Sequence, residues 1–364
     1  MTTPSLHLDR VSHWYDTVQA VDDLSLAVYP GELVCLLGPS GCGKTTVLRL
    51  AAGLEALQAG SVRLDGRTVA DGRIDVPPEA RSVGLVFQDY ALFPHLTVRE
   101  NVMFGLHKLS RAERRRRAEA TLRQVGMAEA GDSHPHMLSG GQQQRVAVAR
   151  ALAPQPRVML LDEPFSGLDV SLRQQVRDET LHVLKNSGAA TLMVTHDPDE
   201  AMFMADRVAL MRAGRLEQVG IPCELYNSPA SPFVASFFGD VNRIPAVVRN
   251  GCVSTPLGPL DAGALHEGTP VEVLVRPEAL RLQPASAGAA DGAAAQVVTA
   301  RLLGRSSMVH LSLANGYMNG HANGEPLHLH ARIPGRFLPS EATELAVNLD
   351  RSQAFVFPRE AEAG

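Results

Sequence analysis

A glycine-rich stretch that ends in lysine and threonines carries the most specific chemistry in this sequence. Its spacing, G-x-x-x-x-G-K-[ST], is that of loops whose backbone N–H groups and lysine hold phosphate oxygens. Apolar segments at 33–37 and 47–54 flank it, which predicts the strand–loop–helix arrangement that this motif requires. The predicted phosphate site comprises Gly38, Pro39, Ser40, Gly41, Cys42, Gly43, Lys44, Thr45 and Thr46.

Two side chains of this loop have distinct predicted tasks. Lys44 provides a positive charge for the outer phosphates, and Thr45 offers a hydroxyl to Mg²⁺. A helix that begins near Lys44 adds the positive end of its dipole at the same point. We interpret Cys42 as a small space-filling residue rather than a redox group.

Three further apolar segments end in polar side chains. Gln88 follows 83–87, Asp162 and Glu163 follow 158–161, and His196 follows 191–194. Because parallel α/β sheets bind ligands at the carboxyl ends of their strands, we expect these side chains to surround the phosphate loop. Asp162 is predicted to hold Mg²⁺, and Glu163, one residue later, to polarise the attacking water as a general base.

The stretch Ser139-Gly140-Gly141-Gln142 predicts a second anion site. Ser139 with a glutamine three residues later is a capping box, which predicts a helix that runs to about Leu152. Glycines just inside a capped helix leave its N–H groups uncovered. By itself this motif is a weak signal, because glycine-rich caps are common.

The organisation of the chain follows from its length and from a change of pattern. A length of 364 residues predicts two domains. From Asn242 onward, short alternating strands separated by turn residues predict a small, barrel-like all-β domain or a pair of all-β subdomains, with hairpin turns in 315–324. His328 and His330 share a strand face there, but two histidines alone make a weak metal site.

Composition limits the classes of partner. The net charge is −5 and no basic patch is interleaved with aromatic residues, so no nucleic-acid partner is expected. We expect no membrane-spanning helix, since no run reaches about 18 apolar residues, and no secretory leader. Four scattered cysteines fit a reducing compartment.

As a set, these motifs resemble the ATP-binding subunits of ABC transporters over residues 5–238. LSGGQQQR at 138–145 looks like the signature sequence of that family, VMLLDEP at 158–164 like its Walker B strand, and 166–169 like its D-loop. The resemblance implies an α/β P-loop nucleotide-binding domain over 1–239 with a helical subdomain at about 89–156. Residues 240–364, through VRPE at 275–278, resemble an OB-like (TOBE-type) regulatory domain.

The resemblance also implies roles for individual residues. Tyr15 falls where the family has its adenine-stacking aromatic, whereas the residues alone leave stacking and sheet packing equally open. Catalysis is implied for Glu163, His196 and Gln88, and Mg²⁺ binding for Thr45, Gln88 and Asp162. A head-to-tail homodimer is implied, in which ATP also contacts the opposite subunit through Ser139, Gly140, Gly141, Gln142 and Asp169.

The partners implied are integral-membrane permease subunits and, indirectly, a periplasmic solute-binding protein, with this chain peripheral on the cytoplasmic face of the inner membrane. Residues 88–95 are expected to be the permease-docking surface, with Tyr90 and Phe93 as its main side chains. The resemblance favours ferric iron as the solute, with sulfate, polyamine or sugar as alternatives. A soluble non-transport ABC ATPase or a regulatory module is a different class. Soluble non-transport ABC ATPases usually have two nucleotide domains or a coiled-coil insertion, and neither is seen in this sequence. The intact Glu163 argues against a regulatory module.

Overall fold

The computed structural model describes residues 3–285, 292–313 and 326–359, and the chain divides into two compact units, 1–225 and 226–364. The hairpin turns predicted in 315–324 lie outside the described residues. Within the described ranges, no helix is both long and apolar enough to cross a membrane.

Strands of the first unit form two sheets. These strands are β1 (Leu6–Tyr15), β2 (Val18–Val28), β3 (Leu33–Leu37), β4 (Ala59–Leu64), β5 (Arg67–Ala70), β6 (Val83–Val86), β7 (Val158–Asp162), β8 (Ala190–Thr195), β9 (Arg207–Arg212) and β10 (Arg215–Gly220). One sheet is antiparallel, with order β2-β1-β4-β5. The other has order β10-β9-β3-β8-β7-β6, and its strands are parallel except for β10.

The described part of the chain also contains α-helices. They are α1 (Lys44–Ala52), α2 (Val98–Met103), α3 (Arg111–Gln124), α4 (Gly140–Leu152), α5 (Val170–Ser187), α6 (Pro198–Met204), α7 (Pro222–Asn227) and α8 (Pro232–Phe237). Short 3-10 turns occupy 78–80, 104–106, 135–137, 277–279 and 351–353. Capping boxes explain three helix starts, because Thr97, Ser110 and Ser139 each exchange hydrogen bonds with the residue three positions later.

The interior of the parallel sheet explains why its strands are apolar throughout. Every residue of β3 and of β8 is buried, since both strands are interior to the sheet, with α6 packed on β3 and β8 and α1 packed on β8. Helices α2, α3 and α4 have a separate small core that includes Val98, Leu122 and Val146. The fold class predicted from the sequence is confirmed, and the parallel strands β3, β6, β7 and β8 end at one edge of the sheet.

The second unit is all β apart from short helical segments. Its strands are β11 (Asn242–Arg249), β12 (Cys252–Thr255), β13 (Gly258–Asp261), β14 (Pro270–Val275), β15 (Leu280–Pro284), β16 (Ala293–Leu302), β17 (Ser306–Leu313), β18 (Leu327–Pro334), β19 (Glu344–Leu349) and β20 (Ala354–Pro358). They form two antiparallel sheets of order β13-β12-β11-β14-β20 and β15-β19-β16-β17-β18, which enclose one apolar core.

The compact unit begins before the domain boundary predicted at 239. Its start is fixed by Arg276, which is fully buried and donates hydrogen bonds of 3.1 Å to the carbonyl oxygens of Tyr226 and Ala235. The guanidinium carbon also lies 3.8 Å from the centroid of the Tyr226 ring. These contacts attach the segment that contains α8 to the β unit, although the change in sequence pattern comes only after it.

Candidate nucleotide site

The phosphate-loop residues connect β3 to α1, as the motif predicted. Gly43 caps α1 with φ +102°, and a Cβ added there would lie 2.0 Å from the carbonyl oxygen of Ala20 on β2. Gly38 has φ +154°, and an added Cβ would lie 2.4 Å from the carbonyl oxygen of Met211. Both positions therefore require glycine. Across the loop, the exposed residues are Pro39, Ser40 and Gly41, and the buried ones are Gly38, Cys42, Lys44 and Thr46.

Lys44 is held inside the loop. Only 5% of the residue is exposed, and Nζ donates hydrogen bonds of 2.8 and 2.9 Å to the carbonyl oxygens of Gly38 and Pro39. Burial raises the pKa of the neighbouring Cys42 thiol, and the Lys44 charge partly opposes that shift. A thiol with a raised pKa is a poor nucleophile, which agrees with a space-filling role for Cys42.

Thr45 and Asp162 bring two oxygen ligands together beside the loop. The Thr45 hydroxyl donates a 3.2 Å hydrogen bond to Oδ1 of Asp162, the last residue of β7. Burial raises the pKa of the Asp162 carboxyl, while the hydrogen bond from Thr45 lowers it. Hydroxyl and carboxylate oxygens are the ligands that Mg²⁺ accepts beside phosphate oxygens, so this pair fits Mg²⁺.

Glu163, which follows β7, and His196, which follows β8, are in contact. Oε2 of Glu163 lies 3.1 Å from Nδ1 of His196, and the His196 side chain is more exposed than that of Glu163. Glu163 has a left-handed backbone with φ +42°, and its N–H donates to the carbonyl oxygen of Val194 at 3.0 Å. Such strain in a non-glycine residue is common at functional sites.

Gln88 is exposed and begins a loop whose backbone is held by the partly buried Arg150 and the buried Asn101. Arg150 on α4 donates hydrogen bonds to the carbonyl oxygens of Tyr90 (2.9 Å) and Ala91 (2.6 Å). The fully buried Asn101 on α2 accepts from the N–H of Phe93 at 2.8 Å and donates to its carbonyl oxygen at 3.1 Å.

One expectation for this loop is wrong. Tyr90 is only 8% exposed, so its side chain is a packing residue and not part of a docking surface. Phe104 is much more exposed, at 59%, and its ring centroid lies 4.4 Å from that of Phe93. The helical pattern from 97 onward hid this side chain, because a 3-10 turn after α2 directs it outward.

The Ser139 stretch forms the predicted cap of α4. The N–H of Gln142 donates to the Ser139 hydroxyl at 3.4 Å, and Oε1 of Gln142 accepts from the Ser139 N–H at 2.9 Å. A Cβ on Gly141 would lie 2.9 Å from Cγ2 of Val176, so glycine permits close packing of α4 on α5. Gly140 is partly exposed, and Asp169 is exposed with Oδ1 accepting from the Leu172 N–H. Contact of this stretch with ATP on a second subunit stays a prediction.

Tyr15 lies at the end of β1 and is 42% exposed. Its ring packs edge-on against His13 at 4.7 Å between centroids. The adjoining strand β2 reaches the phosphate loop, since Ala20 faces Gly43. Tyr15 is therefore exposed on a hairpin whose second strand reaches the loop, and its stacking on adenine stays a prediction.

The histidine pair on β18 has a third member that the sequence did not reveal. The His310 ring on β17 lies 4.6 Å from that of His330 and 5.0 Å from that of His328, because β17 and β18 pair in register. Burial, together with the two other histidines, lowers the pKa of His310. In the described part of the chain, no group of three or more His, Cys, Asp or Glu residues is arranged to hold a metal ion.

Comparisons with known proteins agree with this geometry. A family model described as ABC transporter matches residues 21–166, and a model described as TOBE domain matches 273–332. The spermidine/putrescine import ATP-binding protein PotA of Oleidesulfovibrio alaskensis is 48% identical over 286 residues, which cover 76% of each chain. The sulfate/thiosulfate import ATP-binding protein CysA 2 of Chromobacterium violaceum is 42% identical over 94% of this chain and 92% of its own.

A solved structure is also similar to part of this chain. The ATP-binding cassette MJ0796, a dimer in a post-hydrolysis state bound to ADP and Pi, is 32% identical with a TM-score of 0.54. The match covers 60% of this chain and 98% of that one.

Proposed function

Because this chain belongs to the family of ABC transporter ATP-binding proteins, we propose that it hydrolyses ATP in order to drive solute import through a membrane permease. The observation that carries the proposal is the meeting of a phosphate loop with two pairs of side chains. Thr45 and Asp162 form one pair, and Glu163 and His196 form the other, at one edge of a parallel sheet.

ATP binding is assigned to the loop. Lys44 and the backbone N–H groups of 41–46 hold the β- and γ-phosphates, at the N-terminus of α1 where the helix dipole favours anions. Thr45, Asp162 and Gln88 would hold Mg²⁺, which would neutralise charge on the phosphates. Tyr15 stacks on the adenine.

Hydrolysis is assigned to Glu163 and His196. Glu163 accepts a proton from the attacking water, and the 3.1 Å contact orients the His196 ring beside it. His196 then donates to the γ-phosphate. Its exposure suits a group that must reach a ligand outside the sheet edge.

A second copy of the chain completes the site. Ser139 is the N-cap residue of α4. The glycines that follow it leave N–H groups available for a partner's γ-phosphate. Two ATP molecules are then held head to tail between two subunits. Asp169 also contacts the ATP of the opposite subunit. Hydrolysis opens this sandwich and resets the permease.

The location follows from the partner. The chain is peripheral on the cytoplasmic face of the inner membrane, held there by permease helices that dock beside Phe93 and Phe104. The Phe104 ring is exposed and packs against the partly buried Phe93 of the loop that begins at Gln88. A periplasmic binding protein delivers the solute to the permease on the other face.

Polyamine is the proposed solute, and sulfate is the alternative. The relatives carry names for spermidine/putrescine import and for sulfate/thiosulfate import, and none of those described supports the ferric-iron expectation. A sulfate/thiosulfate relative aligns over 94% of this chain, and a spermidine/putrescine relative aligns over 92%. Polyamine is preferred because the spermidine/putrescine relative is 48% identical and the sulfate/thiosulfate relative 42%.

Uptake by a deletion strain tests the proposal. Cells that lack this gene and are complemented by the wild-type chain or by Glu163→Gln are supplied with labelled putrescine or labelled sulfate. We expect putrescine uptake to require the wild-type chain and sulfate uptake to be unaffected. The opposite pattern assigns the chain to sulfate. Unchanged uptake of both, with no permease co-purifying, would contradict an import role and favour a non-transport ATPase.

A further inference from the structure

Arg173 on α5 joins two segments that the nucleotide site uses. Its Nη2 donates a 2.9 Å hydrogen bond to the carbonyl oxygen of Leu168, and its Nη1 lies 3.5 Å from Oδ2 of Asp197. The side chains of this ion pair are 29% and 28% exposed, so solvent screens it less than it screens a surface pair. One guanidinium therefore contacts the residue before Asp169 and the residue after His196.

The Asp197 end of this link is itself fixed. Oδ1 of Asp197 caps α6 by accepting from the N–H groups of Asp199 and Glu200, at 2.8 and 3.3 Å. The Asp197 N–H donates to the Thr195 hydroxyl at 3.0 Å, and that hydroxyl donates to the buried Glu200 at 2.7 Å. His196 thus lies between two residues that hydrogen bonds hold in place.

The Leu168 end reaches the cap of α4. Leu168 is 5% exposed, and its N–H donates to the carbonyl oxygen of Phe165 at 3.2 Å. A Cβ on Gly140 would lie 3.3 Å from Cδ2 of Leu168, so this side chain packs against the first residue of α4. Movement of Leu168 is therefore coupled to the start of α4, the stretch that is proposed to contact ATP on the second subunit.

We propose that Arg173 is a positioning residue that couples the His196 turn to the 166–169 segment within one subunit. Through this link, the position of His196 and the surface offered to the second subunit change together. The proposal rests on the proposed function of the chain as an ATPase that acts as a dimer. Arg173 is not proposed to contact the nucleotide or the attacking water. It acts through Leu168 and Asp197.

The planar fork of arginine is what permits both contacts at once. Lysine has a single ammonium on a flexible stem, so it can satisfy one of the two partners but holds both poorly. Arg177 provides a matched control, because it lies one turn later on α5 and its guanidinium packs 4.1 Å from the Phe203 ring centroid instead.

The test measures steady-state ATPase activity of the full chain for Arg173→Met, Arg173→Lys and Arg177→Met. We expect Arg173→Met to lower kcat about tenfold, with KM for ATP and the thermal midpoint near the wild-type values. Arg173→Lys should lie between wild type and Arg173→Met, and Arg177→Met should match wild type. In a Glu163→Gln background, Arg173→Met should also raise the ATP concentration that is needed for dimerisation.

A double-mutant cycle with Asp197→Asn isolates the coupling. Asparagine keeps the oxygen that caps α6 and removes the charge that pairs with Arg173, so the double variant should lose no more kcat than Arg173→Met alone. Wild-type kcat in Arg173→Met, or equal losses in kcat, ATP affinity and thermal midpoint, would overturn the positioning role while the ATPase assignment stands. If the wild-type chain hydrolysed no ATP, the proposed function would fail, and this inference with it.

Discussion

Nδ1 of His196 lies 3.1 Å from Oε2 of Glu163 because two neighbouring parallel strands end within one residue of each other. Asp162 on β7 pairs with Val194 on β8, so the residues that follow each strand emerge side by side. The proposed general base and the proposed phosphate sensor are therefore a contacting pair rather than two separate groups, and substitutions in the pair should not be independent.

Glu163→Gln and His196→Ala should each slow ATP hydrolysis. Loss of the carboxylate base should lower kcat by about 10²–10⁴-fold, the usual contribution of general base catalysis. Since the two residues act as a unit, the double variant should be no slower than the slower single variant. Single-turnover phosphate release measures this, and fully additive losses would show that the contact has no part in the chemistry.

Phe104→Ala should impair transport and spare the isolated ATPase. The ring is 59% exposed and packs against the partly buried Phe93, and an exposed aromatic side chain is the kind of group that anchors a partner. Uptake in membrane vesicles with the permease should fall several-fold, while phosphate release by the free chain stays within about twofold of wild type. Ile74→Ala, at a residue that is 44% exposed, is the control. Equal loss in both assays would argue against docking at Phe104.

Arg276→Met should destabilise the C-terminal unit. The change removes two hydrogen bonds to backbone carbonyls from a fully buried guanidinium, each of a type that contributes about 1.5–3 kcal/mol. Differential scanning calorimetry should show a lowered transition. Arg281→Met, which breaks only an exposed pair with Asp350, should shift stability by less than about 0.5 kcal/mol. Similar effects of the two changes would contradict an anchoring role for Arg276.

Glu200 should make stability depend on pH. Burial raises the pKa of its carboxyl, while the hydrogen bond from Thr195 lowers it, and the net shift is upward. The folded state then holds the proton more tightly than the unfolded state, whose glutamate pKa is about 4.3. Stability is consequently lost as pH rises from that value through the raised folded pKa. Glu200→Gln removes this titration, so its thermal midpoint relative to wild type should rise over that window; a pH-independent difference would refute the assignment.

Much of the site was predictable because its determinants are local. Glycine spacing, an apolar run and a following polar residue are all visible along the chain, and they correctly brought Thr45, Asp162, Glu163 and His196 to one sheet edge. The fold class followed from the same strand and helix patterns.

The residues that sequence reasoning missed depend on tertiary partners. Asn101 and Arg276 are fully buried, and polar residues at such positions are tolerated only because distant backbone groups satisfy them. Arg173 reads as an ordinary helix-face residue until Leu168 and Asp197 are seen beside it. The opposite exposures of Tyr90 and Phe104 likewise depend on how the loop after β6 folds back on α2 and α4.

The central claim is that two copies of this chain close on ATP through the Ser139 cap. Size-exclusion chromatography with light scattering tests it on Glu163→Gln, which should bind ATP but hydrolyse it slowly and so accumulate as a dimer. Ser139→Arg added to this variant should block the dimer while each monomer still binds nucleotide, because the bulky side chain would lie where a partner's phosphate must approach. Ser110→Arg, at another capping-box serine, is the matched control and should leave the dimer intact. We predict a change from monomer to dimer on adding ATP that only Ser139→Arg prevents. A dimer that Ser139→Arg does not disturb, or a monomer at saturating ATP in Glu163→Gln, would contradict it.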